Sequence, residues 1–233
     1  MFETLIQKLQ EDRYLTLETT PQHEPSMHNI IEKIKKFKLQ DRVDGFSCTD
    51  NPLAKLKYNA LFASLKLQME FKKPVIATMS MRDRNKIALQ SDLMGANDFD
   101  VRAILALTGD PAKMSDQPHS KGVFESNSLM LLKIIKSFNY GMDGEKQKAQ
   151  LIFGIFPVTK LRTALFLSAQ VPGIHVPQFW IDALEAAHNI SEEEEYKVGM
   201  QLSQNLFKEL NKLHPKIHLM TANRFDVANE IIS

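Results

Sequence analysis

Only one cysteine, Cys48, occurs among the 233 residues. A disulfide needs two thiols and a four-thiolate zinc or iron–sulfur centre needs four, so neither forms within the chain. Net charge is also nearly absent, with 29 lysines and arginines against 28 aspartates and glutamates, a formal +1. No global field therefore draws the chain to nucleic acid or to an anionic membrane surface, and neither is an expected partner. No run of about 18 apolar residues is present. The first 13 residues are amphipathic and charged, unlike a signal peptide, so the expected compartment is the cytosol. The seven histidines show no metal-ligand spacing with one another or with Cys48, so no metal is expected. No Gly-x-Gly-x-x-Gly follows the first β-prone run, which leaves a dinucleotide-binding open sheet without support.

What is present is a rhythm. The β-prone runs 14–20, 43–49, 74–80 and 103–108 each end in turn chemistry: Pro21, Asp50-Asn51-Pro52, Arg82-Asp83-Arg84-Asn85 and Gly109-Asp110-Pro111. Between them, apolar residues at helical spacing predict helices over 27–37, 59–71 and 87–96, after a short opening helix over 2–9. This strand–turn–helix beat, repeating every 30–35 residues or so, marks βαβ units on a parallel sheet. A helix over 126–138 follows, and then the beat fails at Asn139-Tyr140-Gly141-Met142-Asp143-Gly144. It resumes with a strand over 151–158 and helices over 160–169 and 177–187. A long helix then opens at Ser191-Glu192-Glu193-Glu194-Glu195, where an N-cap serine and first-turn acids read as ordinary capping. A last strand over 217–221 and a helix over 225–231 complete six strands in one domain. A full (β/α)₈ barrel has two more, and the break near residues 143–144 is where two β/α units are missing.

Four stretches carry chemistry. Glu18 lies inside an apolar strand, where burial raises a carboxyl toward proton-transfer range; the plainer reading is a surface residue or structural ion pair. In Thr108-Gly109-Asp110-Pro111 the glycine admits a flat ligand and the aspartate can accept two parallel hydrogen bonds from an amino-pyrimidine edge; the plainer reading is a turn. Arg82-Asp83-Arg84-Asn85 reads as a solvated loop or helix-entry cluster. Arg224 could clamp a carboxylate or merely follow an Asn223 N-cap. The methionines and Trp180 read as packing.

In this order, these stretches resemble the methylenetetrahydrofolate reductase family. The resemblance runs through Leu17-Glu18-Thr19-Thr20-Pro21, Ser80-Met81-Arg82-Asp83-Arg84-Asn85, Gln90-Ser91-Asp92-Leu93-Met94-Gly95-Ala96, Leu105-Ala106-Leu107-Thr108-Gly109-Asp110-Pro111, Phe153-Gly154-Ile155-Phe156-Pro157-Val158, Val171-Pro172-Gly173-Ile174-His175-Val176-Pro177 and Thr221-Ala222-Asn223-Arg224. It implies a (β/α)₈ TIM barrel with a flavin, FAD rather than FMN, at the C-terminal face. The implied reaction is ping-pong reduction of 5,10-methylenetetrahydrofolate to 5-methyltetrahydrofolate, feeding methionine synthesis, with NAD(P)H or a redox partner protein as donor and a homo-oligomeric state.

The resemblance also assigns roles. Glu18 matches the acid that protonates the folate bridge. Asp110 matches the aspartate that holds the pterin edge beside the flavin. Thr49, Thr78, Thr108 and Gly109 fall at flavin-contacting positions, and Arg224 matches a folate-contacting arginine. Thr78 stands where many members have a histidine, and Thr108 where some have an arginine. The missing units, on the order of 50 residues, carry the contacts to the flavin's ribityl, phosphate and adenine parts and a folate-contacting glutamine. Because an open six-strand barrel would expose two edges, a stretch left out at this join is expected in preference to a true deletion, and a form without flavin is expected. The other functions compatible with this frame are a flavin-free folate-dependent methyltransferase and a non-catalytic barrel partner.

Overall fold

A computed structural model of the chain describes residues 1–11, 13–117, 119–125, 128–138, 152–170 and 176–233. The expected join near residues 143–144 and the Val171 to His175 part of the resemblance lie outside these. The strands are β1 (Tyr14–Thr19), β2 (Gly45–Cys48), β3 (Val75–Ser80), β4 (Ala103–Leu107), β5 (Phe153–Ile155) and β6 (Lys216–Leu219). The helices are α1 (Phe2–Gln10), α2 (His28–Lys36), α3 (Ala60–Phe71), α4 (Lys86–Asp98), α5 (Ser128–Phe138), α6 (Leu161–Gln170), α7 (Gln178–His188), α8 (Glu192–Leu213) and α9 (Phe225–Ile231). Local chemistry sets their starts. Asn59 accepts from the amides of Leu61 and Phe62, Asn85 from that of Ala88, and Ser191 from that of Glu194.

All strand pairs are parallel, and the sheet order is β4-β3-β2-β1-β6-β5. The first strand is flanked by the second and the last, which is the cyclic order of a barrel opened at one place. That opening lies between β4 and β5, on either side of the break seen in the sequence. The chain is therefore a partial (β/α) barrel of six strands, the fifth and sixth barrel positions being unfilled among the described residues. Leu105 and Leu107 of β4, at 47% and 42% exposure, face this opening.

Alternation divides each strand between two faces. Leu15 and Leu17 of β1, Phe46 and Cys48 of β2, and Ile217 and Leu219 of β6 point outward into the main core with Ile30 and Ile34 of α2 and Phe207 of α8. Tyr14, Thr16 and Glu18, then Ser47, Thr78, Ser80 and His218, occupy the alternate, inner positions. A second cluster packs α6 and α7 through Val158, Ala164, Trp180 and Leu184, with the Trp180 indole donating to the Val158 carbonyl at 3.2 Å.

One buried carboxylate ties the second half together. Glu195 of α8, its side chain 4% exposed, accepts from the Leu161 amide at the start of α6 at 2.6 Å and lies 3.3 Å from His188 Nδ1. It satisfies a free helix-start amide and places a negative charge at the positive end of the α6 dipole. Glu195→Ala is expected to lower the urea midpoint by an amount corresponding to about 1–3 kcal/mol, with the slope of the transition unchanged. An unaltered midpoint would remove this role.

Candidate active site

The C-terminal ends of parallel strands converge at the mouth of a barrel. Glu18 is the next-to-last residue of β1 on the inner face, its side chain 20% exposed. Thr16 pairs across the ladder with His218 of β6, which brings the His218 Nε2 to 3.7 Å from Glu18 Oε2. The other imidazole nitrogen, Nδ1, is buried without a hydrogen-bond partner, as is the hydroxyl of Thr16. A neutral imidazole carries one proton, and with Nδ1 facing no acceptor the carboxylate favours it on Nε2. Sequence reasoning missed His218 because it was weighed only as a metal ligand. The signal that would have found it is its position on the last strand of a barrel, which must lie beside the first.

Thr49 and Thr78 lie on the same inner face as Glu18. The register pairs Glu18 with Ser47 and Cys48 with Ala77, so the residues that follow, Thr49 and Thr78, stand level on adjacent strands. Thr78 is 5% exposed. The Thr49 hydroxyl is buried and without a partner, a donor and acceptor ready for a ligand. Gly109 has φ +97°, and a Cβ there would lie 2.8 Å from Arg82 Cβ, so the turn after β4 requires glycine.

Asp110 reaches the loop after β2, accepting from the Leu53 amide through Oδ2 at 2.6 Å and leaving Oδ1 for another donor. Thr108, exposed after β4, is engaged by the next helix. Its hydroxyl accepts from the Ser128 amide at 3.2 Å, at the start of α5. Arg224 is also engaged elsewhere, donating from both Nη atoms to the Thr159 hydroxyl at 3.1 Å and lying over the Tyr196 ring. Asn223 is not the N-cap of α9. Its amide group pairs with the backbone of Thr20, accepting from the nitrogen at 2.8 Å and donating to the oxygen at 2.6 Å. The structure thus places Glu18, Thr49 and Thr78 on one inner face, ties Asp110 to the loop that follows Thr49, and engages Thr108 and Arg224 in contacts with α5 and Thr159.

Of its two readings the Arg82–Asn85 stretch takes the helix-entry cluster, with Asn85 capping α4 and Asp83 and Asn85 exposed while the arginines are not. The side chains of Arg82 and Arg84 are 3% and 12% exposed, and that of Asp50, after β2, is 1% exposed. Asp50 Oδ2 accepts from the Ser80 amide at 2.9 Å, the Ser80 hydroxyl at 3.0 Å and Arg84 Nη1 at 2.6 Å. Charges this deep are stable only when paired and hydrogen-bonded, as they are here.

Two other ionisable groups are set aside by burial. Burial pushes the Cys48 thiol up to about 11 and the Tyr14 hydroxyl up to about 12, so both remain protonated at neutral pH. Among the described residues no group of three or more His, Cys, Asp or Glu could hold a metal ion, and no helix is long and apolar enough to cross a membrane.

Comparison with known proteins agrees with this fold. The family model for methylenetetrahydrofolate reductase matches residues 3–145 and 142–233, two pieces that meet at the break between α5 and β5. A solved structure of an uncharacterized protein from Clostridium thermocellum, which binds two copies of 5-methyl-5,6,7,8-tetrahydrofolic acid, is similar with a TM-score of 0.51. The likeness covers 97% of this chain and 96% of that one at 13% identity, a likeness of fold alone. No curated protein sequence matches the chain.

Proposed function

The chain belongs to the methylenetetrahydrofolate reductase family, and from that premise we propose that it binds a reduced folate at the open mouth and reduces 5,10-methylenetetrahydrofolate to 5-methyltetrahydrofolate with a bound flavin. The observation that carries the reading is the Glu18–His218 pair on the inner face, at the strand end where the family places its acid. In the proposed reaction Glu18 donates its proton to the bridging nitrogen of the folate, which opens the ring to an electrophilic iminium. The resulting carboxylate lies beside the Nε2–H of His218, which stabilises it, and the partly exposed Glu18 regains its proton from solvent. Asp110, with Oδ1 unspent, holds the amino-pyrimidine edge. The solved structure with 5-methyltetrahydrofolate lends the folate part of this reading further support.

The ring half of a flavin fits the residues present. The unpartnered Thr49 hydroxyl and the Gly109 turn suit a flat, hydrogen-bonding ring, and FAD is favoured over FMN by the family. When bound, the flavin supplies the hydride, taken from NAD(P)H or a redox partner protein. The nucleotide half has no candidate contacts among the described residues, because the strands that carry them in the family have no counterpart in the sheet.

That mismatch, together with Thr108 being spent on α5, favours one second reading, a folate-binding or methyl-transferring barrel that works without flavin. An absorption spectrum separates the two. A flavin band near about 450 nm, either in fresh protein or after added FAD and gel filtration, is expected for the reductase. No band under either condition, with 5-methyltetrahydrofolate still bound, would replace the reductase with the flavin-free reading. A homo-oligomer belongs to the same proposal.

A further inference from the structure

Three loops meet at the mouth, and one buried cluster joins them. Besides the three bonds to Oδ2, Asp50 receives a longer contact at Oδ1 from Arg84 Nη2 at 3.4 Å. Arg84 spends its remaining side on Asp92 of α4, Nε to Oδ2 at 2.9 Å. Arg82 donates to the Asn51 carbonyl at 3.1 Å and accepts at its own carbonyl from the Val123 amide at 2.6 Å. The loop after β2 is therefore held to the loop after β3 by two arginines, and the loop after β3 is held to the one after β4.

The backbone that hangs from Asp50 is unusual. Asn51, Leu53 and Ala54 have φ of 44°, 56° and 56°, and none is glycine. Left-handed backbone at non-glycine residues persists only where the surroundings over-determine it, and it concentrates at ligand clamps. What over-determines it here is the ionic cluster on one side and two aspartates on the other. Asp110 and Asp116 accept from the amides of Leu53 and Leu56 at 2.6 and 3.0 Å.

We propose that Arg84, acting through the buried carboxylate of Asp50, is the positioning residue that fixes this loop, and with it the Thr49 hydroxyl and the Asp110 carboxylate. Thr49 precedes Asp50 directly. Asp110 is reached through Leu53, whose amide it accepts. Arg84 touches neither ligand-facing group, and its effect passes through one charge that has no other cation to pair with in its hydrogen-bond shell. The inference rests on the folate reading for what Asp110 holds, but the coupling between loops stands apart from it.

The test is amide hydrogen exchange on the full chain with Arg84→Gln, together with the affinity for 5-methyltetrahydrofolate. The expected result is exchange about tenfold faster at both Ser80 and Leu53, with amides of β1 and β6 unchanged. Folate binding is expected to weaken by about the same factor, and this loss is expected to vanish in an Asp110→Ala background, because the two residues act in series. Faster exchange at Ser80 alone, or uniformly across the sheet, would overturn the coupling. So would an equal, additive loss of affinity in the Asp110→Ala background. If Arg84→Gln does not fold, Asp92→Asn loosens Arg84 from its more exposed side and is expected to speed the same two amides less. Failure of the unaltered protein to bind 5-methyltetrahydrofolate would remove the folate reading and leave the exchange result to decide the clamp.

Discussion

Glu18→Gln is expected to lower the rate of methylenetetrahydrofolate reduction about 10²–10⁴-fold, the span that general acid catalysis contributes, while affinity for folate stays near its starting value. Glutamine keeps the shape and the hydrogen-bonding reach of the side chain but has no proton to give. Its neighbour sharpens the test. His218 Nε2 lies 3.7 Å from the carboxylate, and its Nδ1 has no hydrogen-bond partner among the described residues. His218→Gln is then expected to reduce the rate less, because it removes a neighbour of an acid that remains. Single-turnover rates and equilibrium folate binding separate the two effects. If Glu18→Gln reduces folate at the starting rate, the proton comes from elsewhere and the acid assignment falls.

Much of the frame was legible because each strand is a short β-prone run closed by a strong stop. Gly109-Asp110-Pro111 begins two residues after Leu107, the last ladder position of β4, and the N-caps Asn59, Asn85 and Ser191 open their helices within a residue or two of where the sequence places them. The strand expected over 151–158 is the clear contraction, with β5 running only from Phe153 to Ile155. Its one partner is β6, in register from Ile217 to Leu219, and its other side is the barrel opening, so nothing extends the ladder. The same opening explains why the break in the sequence beat was readable: the fifth and sixth barrel positions are unfilled among the described residues, so whole periods drop out of the beat.

The mouth was less legible, and for one physical reason. Its contacts join loops that only the closed order of strands brings together. Alternating charges over Arg82–Asn85 look like a solvated helix entry until Asp50, 34 residues before Arg84, is placed beneath them. His218 and Glu18 are 200 residues apart in the chain and adjacent only because the last strand of a barrel pairs with the first. Asn223 looked like a helix cap, yet its amide serves as an extra rung at the end of β1, joining to Thr20. Glu18 stood out in the sequence because a carboxylate inside an apolar strand is costly to bury, and Asp110 because it follows a glycine at the mouth of the sheet. Their partners did not, because the partner's cost is visible only in three dimensions.

Helix packing reaches the site by a similar route, and Gly199→Val is expected to have the largest effect on stability. Gly199 lies buried in α8, and a Cβ built there would stand 2.5 Å from Thr159 Cα and 2.9 Å from its carbonyl carbon. Those are backbone atoms at the end of the β5 segment and cannot turn aside as a side chain would. Alanine would recover up to about 1 kcal/mol of helix propensity against this clash. Valine adds two γ-methyls and loses that benefit, so the net cost is expected near the upper end of overpacking, about 3 kcal/mol. For a chain of this size that corresponds to a fall in melting temperature of roughly 6–12 °C. The displacement has a second consequence, because the Thr159 hydroxyl is the acceptor for both Nη atoms of Arg224. Pushing α8 off Thr159 frees Arg224 from its contact, so the surviving folded fraction should show altered folate affinity, and Gly199→Ala, whose Cβ meets the same backbone, a smaller change in the same direction. A melting temperature unmoved by valine would mean that α8 does not seat on Thr159. A lowered melting temperature with folate affinity unchanged would cut the link between that seat and Arg224.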